Sequence, residues 1–204
     1  MAKIKYTKNE LKKQKDDLKR FQRYLPTLEL KKRQLLQEIQ RVQSEMDEVT
    51  RAIEQTDGQV RQWAAVFGEP VEWESLFEIE QVITDHSNIA GVAIPVFRDV
   101  RCRISDYDLE TTPLWVDSAI DVLKSQVSRR AEHRVLAEQT NILREELRVT
   151  IQRIKLFEEV KIPQARENIR VIQIFLGDQM TAEVVRGKIA KAKIVQKKQA
   201  AEAK

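Results

Sequence analysis

From Ile4 to Val60 apolar residues return every seven places. With Ile4 at position a of a heptad, Leu11, Leu18, Leu25, Ile39, Met46, Ile53 and Val60 also fall on a, and Phe21, Leu28, Leu35, Val42 and Val49 fall on d. Lys32 breaks the a row. A straight helix drifts out of step with a seven-residue repeat, so a repeat held this long requires a partner helix and a left-handed supercoil. Between the seam positions lie Lys, Arg, Glu, Gln and Asp, good helix formers for a solvated face. The first helix is expected from about Lys3–Lys8, with Thr7 or Asn9 as candidate caps, to Trp63 or Phe67. At about 1.5 Å per residue that is a rod of roughly 90 Å. Pro26 interrupts it, but the heptad phase continues through Leu25 and Leu28, which predicts a bend and not a stop.

Gly58, Gly68 and Pro70 mark the end of this pattern. Residues 63–80 gather Trp63, Phe67, Trp73, Leu76, Phe77 and Ile79 among five glutamates, which predicts a short helix with an aromatic face. From Asn88 to Ile104 the period changes to two: Val100, Cys102 and Ile104 point one way, and Asp99, Arg101 and Arg103 the other. Val92–Val96 is the expected companion strand, and Pro95 confines it to an edge or a turn. DYDLETTP is a connector, with Thr111 or Thr112 capping a second helix that carries Pro113 at its first position. That helix shows rows of Leu136, Leu143 and Phe157 and of Leu147 and Ile154, then of Ile162, Ile169 and Leu176 and of Ala165 and Ile172. The stripe changes phase at Pro163, the signature of a local bend or unwinding. The last eighteen residues, basic and rich in alanine, are expected to fray.

The fold class is therefore mostly α: a long antiparallel two-helix coiled coil from one chain, with a small middle insert containing a short helix and a β-hairpin. The expected division is an N-terminal coiled-coil helix over 1–62, a base with the hairpin over 63–112, and a C-terminal coiled-coil helix with a basic tail over 113–204. The second helix is longer by about 25 residues, an overhang of about 40 Å.

Composition agrees with an elongated chain. A third of the 204 residues are charged, and there are five glycines and five prolines. The net charge of +4 hides a separation along the sequence: residues 1–33 carry +8, residues 186–204 carry +6, and residues 67–111 carry −7. Blocks of this kind speak to partners and steering, not to fold. With Cys102 the single cysteine, no disulfide can form within the chain. The basic opening lacks the apolar core of a secretory signal and no run approaches eighteen apolar residues, so a soluble, cytoplasmic chain is expected.

Catalytic chemistry is not signalled. Gly187-Lys188 is followed by Ile189 and lacks the preceding glycine of a phosphate-binding loop. His86 and His133 stand 47 residues apart, without metal-ligand spacing, and are read as surface residues. Cys102 is read as a strand-packing residue. No catalytic, cofactor-binding or metal-binding residue is assigned.

Three stretches, YTKNELKKQKDDLKRFQRYLPTLELKKRQLL, NIAGVAIPVFRDV and KIPQARENIRVIQIFLGDQ, in this order and spacing, resemble the D subunit of the V-type (archaeal-type) rotary ATPase and ATP synthase, bacterial members above all. Tyr24-Leu25-Pro26 stands where many members carry a Lys-Arg-Gly cluster. The resemblance implies a non-catalytic central-stalk rotor shaft that couples ATP synthesis or hydrolysis to proton or sodium transport, cytoplasmic and peripheral to the membrane. It implies as partners the catalytic A and B subunits of the hexamer, the small F subunit of the stalk and the funnel-shaped C subunit above the membrane ring, with no nucleic acid and no membrane insertion. By the same analogy Tyr6, Thr7, Leu11, Ile172, Leu176 and Met180 lie at the hexamer end, and Trp73, Phe77, Val92, Ile94, Val96 and Phe97 at the base. A bent, asymmetric shaft would favour different nucleotide states at different rotational positions, with Pro26 and Pro163 contributing to the asymmetry. Two rivals from other classes fit the pattern less well. A prefoldin-like chaperone, or another coiled-coil scaffold, also joins coiled-coil helices through β-hairpins. A basic coiled coil could contact phosphates, but no aromatic is interleaved with its C-terminal lysines.

Overall fold

The computed structural model describes residues 4–63, 71, 76–108, 112–113 and 115–202. Helix α1 spans Lys8–Trp63, strand β1 Phe77–Ile89, strand β2 Val92–Ile104 and helix α2 Val116–Lys155. A six-residue π turn, Leu156–Lys161, joins α2 to helix α3, Ile162–Glu202. The chain divides into two compact units. One holds residues 1–29 and 152–204, the other residues 30–151.

Helix α1 starts where its cap chemistry places it. Thr7 Oγ1 accepts the backbone N–H of Glu10 at 3.2 Å, and Glu10 in turn receives the Gln14 side-chain amide at 2.8 Å. The pattern Thr-x-x-Glu at the head of an apolar repeat is a capping-box sequence. Thr7→Ala should cost about 1 kcal/mol of helix stability and Thr7→Ser almost none; the check is the urea midpoint of the two variants followed by circular dichroism. The helix runs unbroken through Pro26. Proline leaves the Gln22 carbonyl without its helical donor, and one residue on, the Thr27 hydroxyl donates to the Tyr24 carbonyl at 2.7 Å. Every apolar residue named at a and d from Ile4 to Val60 is half-buried or buried, as is the aberrant Lys32.

In the unit of residues 30–151 the two helices run antiparallel. Lys31 Nζ meets Glu146 at 2.6 Å, whereas Arg129, earlier in α2, donates to Thr56 at 2.6 Å, later in α1. The core is a cluster of Leu35, Ile39 and Val42 from α1, Leu136 and Leu143 from α2, and Ile94 from β2. Toward the end of α1 the seam turns polar. The Gln126 amide donates to Asp57 at 2.5 Å and to the Ile53 carbonyl at 3.3 Å, and Arg130 pairs with Asp57 at 2.9 Å. Partners this specific pin helix register where apolar packing alone would tolerate a slip.

The hairpin differs from its sequence expectation. Val92–Val96 is not a separate companion strand but the first part of β2, and the partner is the whole of β1, paired antiparallel from Phe77↔Ile104 to Ile89↔Val92. The turn is Ala90-Gly91, both in the left-handed region at φ 51° and 80°. Asn88 Oδ1 accepts the Gly91 N–H at 2.9 Å. Two consecutive positive φ values give the turn the hand that matches strand twist. Register slips at Glu80 in β1 and at Arg98 in β2 leave one extra residue on each strand, two bulges that cancel. The alternation of Val100, Cys102 and Ile104 against exposed Arg101 and Arg103 is as expected. The expected aromatic helix over 63–80 falls mostly outside the described residues, as does Trp73, and Phe77–Glu80 is already strand. Helix α2 begins at Val116, later than the expected start at Pro113, because the Pro113 carbonyl first accepts the Val116 N–H in a turn.

In the unit of residues 1–29 and 152–204 the helices are again antiparallel. Phe21 stacks on Phe157 with ring centroids 5.3 Å apart, Gln14 receives the Asn168 amide at 3.1 Å, and Tyr6 packs on Phe175 at 5.0 Å. Ile154, Ile162, Ala165 and Ile172 are its buried apolar side chains among the described residues.

Candidate interaction surfaces

Past Leu176 the third helix has no buried or half-buried side chain among the described residues. Tyr6, just ahead of α1, packs on Phe175, and every residue from Gly177 to Lys197 is exposed. This stretch is helical to Glu202 and is not frayed, a consequence of its alanine, lysine and glutamine content. Its exposed side chains are not those of a solvated rod. Ile174, Phe175, Met180, Val184, Val185, Ile189, Ile194 and Val195 are all 41–59% exposed. At about 100° per residue the six beyond Phe175 leave one gap of about 140° around the axis, and Phe175, packed on Tyr6, lies inside that gap. An amphipathic helix gathers its apolar residues on one side, and a helix apolar on all sides is one that is surrounded. Lys188, Lys191, Lys193 and Lys197 alternate with them and keep the same surface strongly basic.

The residues assigned by resemblance to this end do not all share that surface. Met180 and Tyr6 are exposed at 55% and 46%. Leu11 and Leu176 are half-buried, and Thr7 is the cap of α1. Ile172 is 0% exposed and has no side-chain surface to give a partner. The valines and isoleucines beyond Met180 were not singled out from sequence, since lysine and alanine dominate the stretch. Their signal is the absence of any one-sided period.

At the hairpin, Ile94 is likewise buried at 2% and belongs to the chain's own core. Val92 packs beside it, and Phe77, Val96 and Phe97 are half-buried. Gln139 of α2 donates to the Pro95 carbonyl at 2.6 Å, which ties β2 to the helix. Strand β1 is the exposed partner, with Ile79 and Val82 at 50% and 40%. Its acidic side chains are paired across the ladder. The bulged Arg98 reaches Asp85 at 2.8 Å, and Arg103 pairs with Glu78 opposite and with the bulged Glu80 at 3.7 Å. The Arg98 hydrogen bonds hold the Asp85 carboxyl below its usual range, and Glu78 holds the Arg103 guanidinium above its own. The hairpin thus neutralises much of its charge internally. Cys102 is half-buried in β2, where burial pushes its thiol up and away from the reactive thiolate. Among the described residues no three His, Cys, Asp or Glu side chains are grouped to hold a metal, and no helix is long and apolar enough to cross a membrane.

Comparison with known proteins finds relatives over nearly the whole chain. The sequence model of a family described as the D subunit of ATP synthase matches residues 10–192. A protein of Borreliella burgdorferi named as the D subunit of a V-type ATP synthase is 45% identical over 197 residues, covering 97% of this chain and 98% of the relative. Proteins with the same name from Chlamydia caviae and Chlamydia pneumoniae are 35% and 36% identical, the first covering 98% of both chains and the second 94% of this chain and 93% of its own.

Proposed function

Since the chain belongs to the D-subunit family of ATP synthases, we propose that it is the central rotor shaft of a V-type ATPase or ATP synthase, a non-catalytic component that carries torque between the nucleotide-binding hexamer and the ion-translocating membrane ring. In this reading the end bearing both termini enters the bore of the A and B subunits. The hairpin end holds the small F subunit and rests in the funnel-shaped C subunit, and the chain stays cytoplasmic and peripheral to the membrane. The observation that carries the reading is the helix from Ile174 onward, whose exposed apolar residues are spread around its axis and not gathered on one face. A docking site for one partner needs one face, whereas a helix that turns inside a ring meets its surroundings on every side. Lysines interspersed with the apolar residues add long-range attraction that does not lock one angle and that salt weakens.

The test is association with the A and B hexamer of the same genome. Met180→Ser, Val184→Ser, Val185→Ser and Ile189→Ser together remove four apolar contacts, each worth about 1.5–3 kcal/mol if fully buried, so binding should weaken roughly a hundredfold or more. Because these side chains are exposed in the free chain, its circular dichroism and melting temperature should stay as they are. Unchanged binding with an intact fold would count against a surrounded shaft. Co-expression with the small F subunit should also give a one-to-one pair by native mass, and a self-associated hexamer in its place would favour the chaperone reading.

A further inference from the structure

Defects in the backbone hydrogen-bond ladder of both helices fall in the unit of residues 1–29 and 152–204. In α1, Pro26 withholds a donor from the Gln22 carbonyl, and Pro163 does the same near the start of α3. Phe21 stacks on Phe157, the second residue of the π turn. That turn is closed by the Ile162 N–H donating to the Phe157 carbonyl, five residues back. None of its six residues is buried, and Leu156 and Val160 are 44% and 48% exposed.

The turn also resets the phase of the seam. Along α2 the inward positions run Leu136, Thr140, Leu143, Leu147, Thr150, Ile154 and on to Phe157, in steps of four and three. The same rule continued gives Lys161, Gln164, Asn168 and Val171. The buried residues are instead Ile162, Ala165 and Ile172, each one place later, while Asn168 and Ile169 are both half-buried. A π turn is an α-helix with one residue inserted, and one residue is the whole of the slip. Were the turn to relax to α, everything after it would rotate by about 100° and present Lys161 and Gln164 to the seam. The apolar residues downstream therefore hold the turn open, although its own backbone bonding is the poorer for it.

We propose that Phe21–Pro26 together with Leu156–Pro163 form a built-in joint, the level at which this helix pair opens, bends and twists first. A segment with weakened backbone bonding and, over Leu156–Lys161, no buried side chain opens at low free energy, while the flanking seam stays closed. If the chain is a shaft, a consequence that rests on the reading above, twist is taken up here and not spread along the helices.

Hydrogen exchange read by mass spectrometry on the full chain tests the joint without any partner. Amides of residues 158–162 should exchange at least about tenfold faster than those of 143–150 and of 165–172. Deleting Val160 should make the helix continuous with its seam intact, abolish that difference and raise the melting temperature by about 2–4 °C. Deleting Glu145, an exposed α2 residue outside the turn, should lower it by throwing the seam out of phase. Even protection from 143 to 172 in the native chain, or a Val160 deletion that fails to raise the melting temperature, overturns the proposal. Neither readout involves the hexamer, so a failed joint and a failed shaft are told apart.

Discussion

Leu143→Ala should lower the unfolding free energy by about 2–5 kcal/mol, near the upper end of what a single truncation costs. Leu143 is 0% exposed and sits where three elements meet, with Leu35, Ile39 and Val42 on the facing helix, Leu136 two turns earlier and Ile94 of the hairpin in the same cluster. Truncation loses the transfer free energy of the side chain and leaves a cavity whose walls belong to separate elements. Collapse of α1 toward α2 is resisted because Lys31–Glu146 on one side and Gln126–Asp57 on the other hold the helices in register. The cavity should therefore persist, and the hairpin, which enters the core chiefly through Ile94 and its neighbours Ile89 and Val92, should loosen with it. Urea unfolding followed by circular dichroism measures the loss, with Leu156→Ala as the exposed control expected within about 0.5 kcal/mol of the parent. Equal midpoints for the two variants would mean that the three-way core is not the centre of stability.

How much of this was legible beforehand depended on whether the signal was local. The heptad rows of α1 read correctly residue by residue, because a seam repeats the same requirement every seven places and one intruder, Lys32, cannot hide it. The cap was equally local, with Thr7, one of two candidates beside Asn9, taking the role. Strand β1 was missed for a physical reason. In FEIEQVITDHSNI the bulge at Glu80 puts two residues between Ile79 and Val82, which destroys the period of two. The turn is also built on Ala90, a residue that does not advertise a left-handed conformation. The phase change at Pro163 was visible, but a bend and a π turn produce the same break in a stripe, and only backbone bonding separates them. Ile94 and Ile172 expose the limit of carrying roles by resemblance. Both are apolar residues in the expected regions, yet the chain uses each to close its own core, a choice set by neighbours far away in sequence.

Ile172→Asn is expected to have an effect of similar size but of a different kind, because the unit that contains it has little else buried. Ile172 lies between the Gln14–Asn168 hydrogen bond and the Tyr6–Phe175 contact and is 0% exposed. An asparagine there loses apolar burial and leaves an amide without a partner in the seam, together about 3–5 kcal/mol. Ile154, Ile162 and Ala165 are the other buried apolar side chains of this unit among the described residues, so what remains cannot hold the last turns closed. The loss should be local. Exchange protection should vanish over residues 8–18 and 165–176, while residues 35–49 and 136–147, which draw on the Leu35, Ile94 and Leu143 cluster, keep theirs. Binding to the A and B hexamer should fall as well, since an opened pair no longer presents α3 as a single stiff helix. If protection were lost evenly across both regions, the two compact units would be one cooperative structure, and the separation of a termini-bearing end from a hairpin-bearing core would have to be given up.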